Sequence, residues 1–347
     1  MSKTIAWRSP SNIALIKYWG KYGRQLPKNA SISLTLENAF SETHLQYEKR
    51  SDNSERLLSF DFLFEGQSNA NFSTRIRNFM SSILDEMPFL QDYHFQIQSH
   101  NSFPHSAGIA SSASGLSALA LCLTQLATEI GYGDFTQENF KEKASYFSRL
   151  ASGSACRSIY GGAAIWGETP HYEKGSNLYA VPFGEALHPI FQTYHNDILF
   201  VSKAEKKVSS TAGHQLMEGN PFAQARYAQA QDNLGKLLTH LKNGDVHEAG
   251  FIIEEEALTL HALMMSSRPS FVLMQPNTLL LIHKLRAWRE ESKLPLYFTL
   301  DAGPNLHLLY PSEIKTQAQA FIQSELLPYC ENGQYLADKV GQGAFAL

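Results

Sequence analysis

YHFQIQSHNSFPHSAGIASSASGLSALALCLTQLATEIG, residues 93–131, decides how the chain is read. Its first part alternates apolar and polar residues and predicts a strand over 93–99. Residues 101–110 are small and turn-forming. From about residue 111 the pattern is an unbroken apolar helix, buried along GLSALALCLTQLATEIG. Within 104–115 every position except His105 and Ile109 is Gly, Ala, Ser or Pro. The start of a helix exposes free backbone N–H groups and the positive end of the helix dipole. Gly and Ala let a ligand come close to such a backbone, and Ser adds hydroxyl donors. The segment is therefore built like a phosphate cradle that uses no lysine. A serine-capped helix packed tightly against a sheet has the same composition, and these residues alone leave both readings open.

Outward from this stretch the chain alternates between strand and helix signals. Residues 1–50 are β-rich, with alternation in ISLTLENAF and SETHLQYEKR, and QLPKNAS at 25–31 predicts a turn. Phe72, Ile76, Phe79, Ile83, Leu84 and Met87 are spaced for a helix over 72–87. A further helix is predicted over 136–150, and YGGAAIWGE returns to strand character. A domain boundary falls near 184–195. Beyond it come the strand DILFVSKA, helices over 221–243, 246–265 and 277–291, and the strands PLYFTLDAG and LHLLYP. This order argues for an α+β or mixed α/β protein. It is not a dinucleotide-binding Rossmann chain, since no GxGxxG follows the first strand, and GxxxxGK[ST] is absent.

Composition narrows the function. The chain has 347 residues, 43% hydrophobic and 18% charged, with a formal net charge of −4. That balance fits a folded protein and points to neither nucleic acid nor an anionic membrane as partner. Any phosphate-binding charge must be local. Cys122, Cys156 and Cys330 form no CxxC pair and no even disulfide framework, which suits a reducing compartment. The N-terminus lacks a secretory signal, and the most apolar run, 115–127, is too short to span a bilayer. A cytoplasmic protein is expected. The 13 histidines show no HxxxH or HExxH spacing, so no zinc site is expected.

Four further segments carry candidate chemistry. In SGSACRSIYGG (152–162), Ser152 and Ser154 flank a glycine and Arg157 follows among small and apolar residues. A guanidinium in such a setting needs an anion, either a ligand carboxylate or phosphate or a carboxylate of the protein itself. In NIALIKYWGKYG (12–23), Asn12, Lys17, Tyr18 and Lys21 crowd together. If the segment is extended, Lys17, Trp19 and Lys21 share one face and Tyr18 takes the other. In TLDAGPNLHLLY (299–310), Asp301 ends an apolar strand at a Gly-Pro turn, a place for a catalytic carboxylate or for a plain Asx-turn. In KAEKKVSSTAG (203–213), three lysines precede Ser209, Ser210 and Thr211, as in an anion loop or a basic surface loop. Glu254, Glu255 and Glu256 read as a solvated helix face, and His261 as a packed core residue.

Taken together and in order, SPSNIALIKYWGKYG, LPKNASISLTL, NSFPHSAGIASSASGLSALA, SGSACRSIYGGAAIW, KKVSSTAGHQLM and TLDAGPNLHLLY resemble the diphosphomevalonate decarboxylase family of the GHMP small-molecule kinase superfamily. VGQGAFAL at the C-terminus is similar to that family's closing Gly-rich strand. The resemblance implies an α+β, two-domain GHMP kinase fold: a ribosomal protein S5 domain 2-like N-terminal domain over 1–188 and a ferredoxin-like GHMP C-terminal domain over 189–347. It implies ATP-dependent decarboxylation of (R)-5-diphosphomevalonate to isopentenyl diphosphate, with ATP and Mg2+, in a homodimer. Carried over position by position, Asp301, Lys17 and Arg157 are the catalytic set. Asn12, Tyr18, Lys21, Ser152, Ser154, Arg157, Ser209 and Ser210 bind substrate. Pro104, Ser106, Ala107, Gly108, Ile109, Ala110, Ser111 and Ser112 cradle the ATP phosphates, with Ser112 also toward Mg2+. The chain departs from the family at Tyr22 and Gly23, where Arg-Asp is frequent. It also departs at His105, at Ser114 and at Ala344, where the family's closing Pro is missing. A relative acting on 5-phosphomevalonate and a kinase that stops before decarboxylation are the rival enzymes.

Overall fold

The computed structural model describes residues 3–51, 57–103, 111–203 and 210–347, with the side chains of 111, 112, 210 and 211 outside the description. In the first half of the chain it contains β1 (Lys3–Ile16), β2 (Lys21–Tyr22), β3 (Leu26–Pro27), β4 (Ser31–Lys49), β5 (Ser59–Phe64), β6 (Gln67–Ser68) and α1 (Ala70–Ser82). These are followed by β7 (Tyr93–Asn101), α2 (Ser111–Glu129), α3 (Phe140–Ala151), β8 (Ala163–Trp166) and β9 (Ala180–Pro182). The second half holds α4 (Pro189–Gln192), β10 (His195–Leu199), α5 (Ser210–Gln215), α6 (Ala223–Asn243), α7 (Val246–Met265) and α8 (Pro276–Ser292). It closes with β11 (Tyr297–Leu300), β12 (Leu306–Tyr310), α9 (Lys315–Phe321), β13 (Tyr335–Leu336) and β14 (Phe345–Ala346). The α+β, two-domain organisation expected from the sequence is the one observed. Among the described residues no helix is long and apolar enough to cross a membrane.

The N-terminal sheet runs β14-β1-β4-β7-β5-β6, with β8 and β9 continuing from the first part of β4. All its pairings are antiparallel except β5 on β7. The alternation in residues 32–50 belongs to the single long strand β4. Its buried positions Leu45 and Tyr47 pack with Phe95 and Ile97 of β7 beneath α1 and α2. The small residues that open α2 bring it close to the sheet. Ser114 Oγ lies 2.7 Å from Ser41 Oγ, and Ser117 Oγ lies 2.5 Å from Ser9 Oγ. Beyond them Leu119, Cys122, Leu123 and Leu126 enter the core. Tight packing on the sheet, one of the two readings left open for this stretch, thus holds for the described part of α2.

The pairing of β1 with β4 is irregular where it matters. Pro10 faces Phe40 but Asn12 faces Thr35, so Ser11 alone opposes the arch Leu36–Ala39. A bulge of this kind frees backbone N–H groups and re-aims side chains. Here the freed groups are taken by the C-terminal tail: Asp338 Oδ1 accepts from Glu37 N (2.9 Å) and Asn38 N (2.8 Å), and Oδ2 from Ala39 N (2.8 Å). Past the bulge, Asn12 through Ile16 run toward the second domain.

That domain is an antiparallel sheet of order β11-β12-β10-β13. Leu281 and Leu285 of α8 and Ala318 and Phe321 of α9 pack on one side of it, against Phe298, Leu300, Leu306 and Leu308. On the other side, α6 and α7 lie between the two sheets. One continuous core joins Ile13, Leu15, Ile32 and Leu34 of the N-terminal sheet to Leu234, Leu237, Ile253, Tyr297 and Leu309. The two domains are fused by a shared apolar layer, and the residues after β1 enter the seam between them. Among the elements that escaped the sequence reading are β5 and the helical run from Lys315. SFDFLF is a short strand surrounded by residues without pattern, and KTQAQAF carries few apolar positions.

Candidate active site

Lys17 is the first residue after β1, and its side chain is buried, with Nζ donating to the Ala14 carbonyl at 2.7 Å. Burial lowers its pKa to about 8. The Asp301 carboxylate opposes that fall, Arg157 adds to it, Glu256 opposes it and Arg226 adds to it. Asp301 follows β11 and is half-buried. Its carbonyl accepts from Gly303 N at 2.8 Å, closing the turn, and lies 3.1 Å from Nε2 of the buried His261. A backbone turn thus forms at the strand end, and the Asp301 carboxylate acts electrostatically on the Lys17 ammonium.

Arg157 sits in a 3-10 segment, Gly153–Ile159, between α3 and β8, and is buried. Its Nε donates to Asn12 Oδ1 at 3.3 Å and its NH1 donates to Ser31 Oγ at 2.5 Å. The guanidinium stands 5.8 Å from the centroid of the Tyr18 ring. Within the described residues these hydrogen bonds go to neutral side chains rather than to a carboxylate. Burial holds its pKa below the ordinary arginine value. Asn12, turned by the bulge, is fixed through Nδ2 to Ser158 Oγ (2.8 Å) and to the Ser154 carbonyl (3.3 Å).

The flanks of SGSACRS explain its glycine. A Cβ on Gly153 would stand 2.8 Å from Tyr18 Oη and 2.8 Å from the Trp166 ring. Only glycine fits at 153 between these two rings, and Ser152 and Ser154 on either side of it are partly exposed. The Tyr18 ring stacks on His214 (4.5 Å, 28°) and meets Trp166 edge-on (4.8 Å). Trp19 also lies against His214, at 4.5 Å. Extended alternation therefore fails for 17–21: Tyr18 and Trp19 address the same imidazole. The chain breaks at Gly20, whose φ of +101° suits glycine, and a Cβ there would come within 2.4 Å of Tyr227 Oη. Gly20 N–H donates to His214 Nδ1 at 2.9 Å, which leaves the imidazole proton on Nε2. Burial lowers His214 to about 3, so the ring is neutral at physiological pH. Lys21, half-buried in the β2–β3 hairpin, donates to Gln25 Oε1 at 2.9 Å, and burial lowers its pKa.

The structure thus brings Asn12, Lys17, Tyr18, Ser152, Ser154, Arg157 and Asp301 to one seam, with Lys21 at its edge beyond His214. Pro104, Ser106, Ala107, Gly108, Ile109, Ala110 and Ser209 lie outside the described residues. Ser111 and Ser112 open α2 and Ser210 opens α5, known by backbone alone. Ser31, Ser158, Asn29 and His214 join the cluster unannounced, because no local pattern singles them out. The reading of the glutamates is also corrected. Glu254 and Glu256 are buried, not part of a solvated face. Arg286 and Arg289 hold Glu254, while Arg226 holds Glu256.

Fold and site together define a two-domain α+β enzyme whose buried lysine, arginine and carboxylate meet between the domains. Comparison with known proteins gives the family. Residues 9–178 match the diphosphomevalonate decarboxylase-like N-terminal domain, and residues 197–342 match the mevalonate 5-diphosphate decarboxylase C-terminal domain. Diphosphomevalonate decarboxylase of Ganoderma lucidum is 30% identical, over 93% of this chain and 82% of its own. Mevalonate diphosphate decarboxylase from Staphylococcus aureus superposes with a TM-score of 0.83 at 30% identity, covering 100% of this chain and 98% of that one. A structure described as MDDEF in complex with MVAPP, AMPPCP and magnesium has a TM-score of 0.82 at 26% identity, with 100% and 99% covered. The chain belongs to the diphosphomevalonate decarboxylase family.

Proposed function

We propose that this protein catalyses ATP-dependent decarboxylation of (R)-5-diphosphomevalonate to isopentenyl diphosphate, releasing ADP, phosphate and CO2. The observation that carries the reading is the buried Arg157, held by neutral groups beside Lys17 and Asp301. A buried cationic cluster beside a carboxylate suits a substrate that is an anion at one end and must lose a hydroxyl at its centre. The tertiary 3-hydroxyl is a poor leaving group, and phosphorylation makes it a good one. Asp301 orients the hydroxyl and takes its proton as the γ-phosphoryl group arrives. Lys17, cationic below its pKa of about 8, keeps Asp301 ionised. Phosphate then leaves, positive charge builds at the tertiary carbon, and the substrate carboxylate departs as CO2, the electron pair of its C–C bond closing the double bond of the product.

Arg157 and Asn12 hold that carboxylate until it leaves, a charge-assisted contact worth about 1.5–3 kcal/mol. Tyr18 and Lys21 take the diphosphate, and Ser152, Ser154, Ser209 and Ser210 line the pocket. Residues 104–112 cradle the ATP phosphates. The start of α2 suits them, since its free N–H groups and dipole favour an anion. Mg2+, when bound, neutralises phosphate charge during transfer. Such an ion needs few protein ligands when phosphates supply the rest, and Ser112 is the assigned protein oxygen. The boundary at 188/189, a homodimer and a cytoplasmic location complete the reading. The three buried cysteine thiols support a reducing compartment.

Asp301→Asn tests the assignment. It keeps the shape and removes the base, so kcat should fall about 10²–10⁴-fold with a modest change in KM. A variant with full activity would remove Asp301 from the mechanism.

A further inference from the structure

We infer that the buried Glu256–Arg226 pair is a positioning device for Lys17, gripping the backbone of that residue from both sides. This rests on the reading of Lys17 given above. The two side chains come from neighbouring helices, Arg226 from α6 and Glu256 from α7. They form a two-pronged pair, NH1 to Oε1 at 2.7 Å and NH2 to Oε2 at 2.5 Å. A helix-to-helix ion pair would be complete at that point. Here Glu256 Oε2 also accepts the Lys17 N–H at 2.9 Å, and Arg226 NH2 also donates to the Lys17 carbonyl at 2.9 Å. Asn233 Nδ2 donates to Glu256 Oε1 at 2.9 Å, and Asn29 Nδ2 to the Lys17 carbonyl at 3.1 Å. Both peptide groups flanking the Lys17 Cα are thereby pinned.

The price of this arrangement is visible. Arg226 Nε is buried and, among the described residues, has no acceptor. An orphaned guanidinium N–H is costly, which argues that its fork is aimed by Lys17 as well as by Glu256. The pair also sets the field. The charges facing the Lys17 ammonium are Asp301 after β11, Arg157 in the 3-10 segment, Glu256 on α7 and Arg226 on α6. Glu256 supports the cation and Arg226 opposes it, so their removal has opposite consequences.

The test is the pH profile of kcat/KM with ATP, Mg2+ and (R)-5-diphosphomevalonate, for the full chain and three variants checked for folding by circular dichroism. In the parent protein activity should fall on the alkaline side as Lys17 loses its proton, near pH 8. Glu256→Gln keeps the shape but removes the negative charge, and should move that limb down by roughly half to one pH unit. Arg226→Met removes the positive charge and should move it up by a similar amount. Arg226→Lys keeps the charge and should leave the limb in place while lowering kcat. A merely structural pair would lower thermal stability in all three and shift no limb, and that result would overturn the inference. The two shifts have opposite signs, so either variant that folds decides the matter. Lys17→Arg separates the two levels. If the alkaline limb survives in it, the role of Lys17 and this inference fall together. If the limb disappears there but stays fixed in Glu256→Gln and Arg226→Met, the inference alone falls.

Discussion

Glu254 and Glu256 stand next but one on α7, both buried and both paired to arginine, yet they serve different ends. Two residues of a helix turn the side chain by roughly 200°, so the two carboxylates point to nearly opposite sides. Glu254 faces α8, where Arg289 and Arg286 reach it from the protein's edge, and the Arg286 side chain is 46% exposed. Glu256 faces the seam, where Arg226 is 1% exposed and the backbone of Lys17 completes the network. The first pair fastens one helix to another. The second carries the same chemistry into the catalytic cluster. Burial and pairing alone do not mark a functional carboxylate; what its remaining lone pairs hold does.

Truncation should separate the two most strongly. Glu256→Ala leaves Arg226 buried and unpaired, and should cost about 3–5 kcal/mol, read as a large fall in the urea or thermal midpoint. A third buried carboxylate, Asp197, sharpens the contrast because its hydrogen bonds come from neutral donors, the Tyr310 hydroxyl at 2.5 Å and the Asp338 N–H at 3.2 Å. Burial raises its pKa from 3.8 to about 6. Between those values the folded protein keeps a proton the unfolded chain has released, so stability falls as pH rises through that window. Asp197→Asn should flatten this slope and raise stability at neutral pH by about 2–3 kcal/mol, checked by urea unfolding at pH 4, 5, 6 and 7. Glu254→Ala should cost less than Glu256→Ala, about 1–2 kcal/mol, since Arg286 can turn to water, and kcat/KM should not change. Arg286→Ala, at the exposed end of the same pair, should cost about 0–1 kcal/mol. If Glu254→Ala were as disabling to turnover as Glu256→Ala, the division between the two carboxylates would collapse.

The sequence made the frame legible because its signals are local. The strand into small-residue loop into apolar helix at 93–131 has one dominant periodicity in each part, and the helices at 223–243, 246–265 and 276–292 lie within a few residues of their expected spans. Asn12, Lys17, Tyr18, Arg157 and Asp301 stood out as polar groups among small or apolar neighbours. Glu256, Arg226, Ser31 and His214 did not, for a physical reason. Their partners lie far along the chain, Glu256 on Lys17 and Arg157 on Ser31, and three consecutive glutamates look the same from sequence whether they face water or a buried guanidinium. The extended reading of 17–21 failed because Tyr18 and Trp19 both pack on the His214 ring and the chain then turns at Gly20, which takes a positive φ. No periodicity rule sees such a turn.

The central claim is tested most directly by product stoichiometry. Purified protein with ATP and Mg2+ is given (R)-5-diphosphomevalonate or, separately, (R)-5-phosphomevalonate, and ADP, phosphate and CO2 are measured together. The expected result is one ADP, one phosphate and one CO2 per diphosphomevalonate consumed, with slower turnover of the monophosphate. ADP formed without CO2, or faster turnover of the monophosphate, would contradict the account.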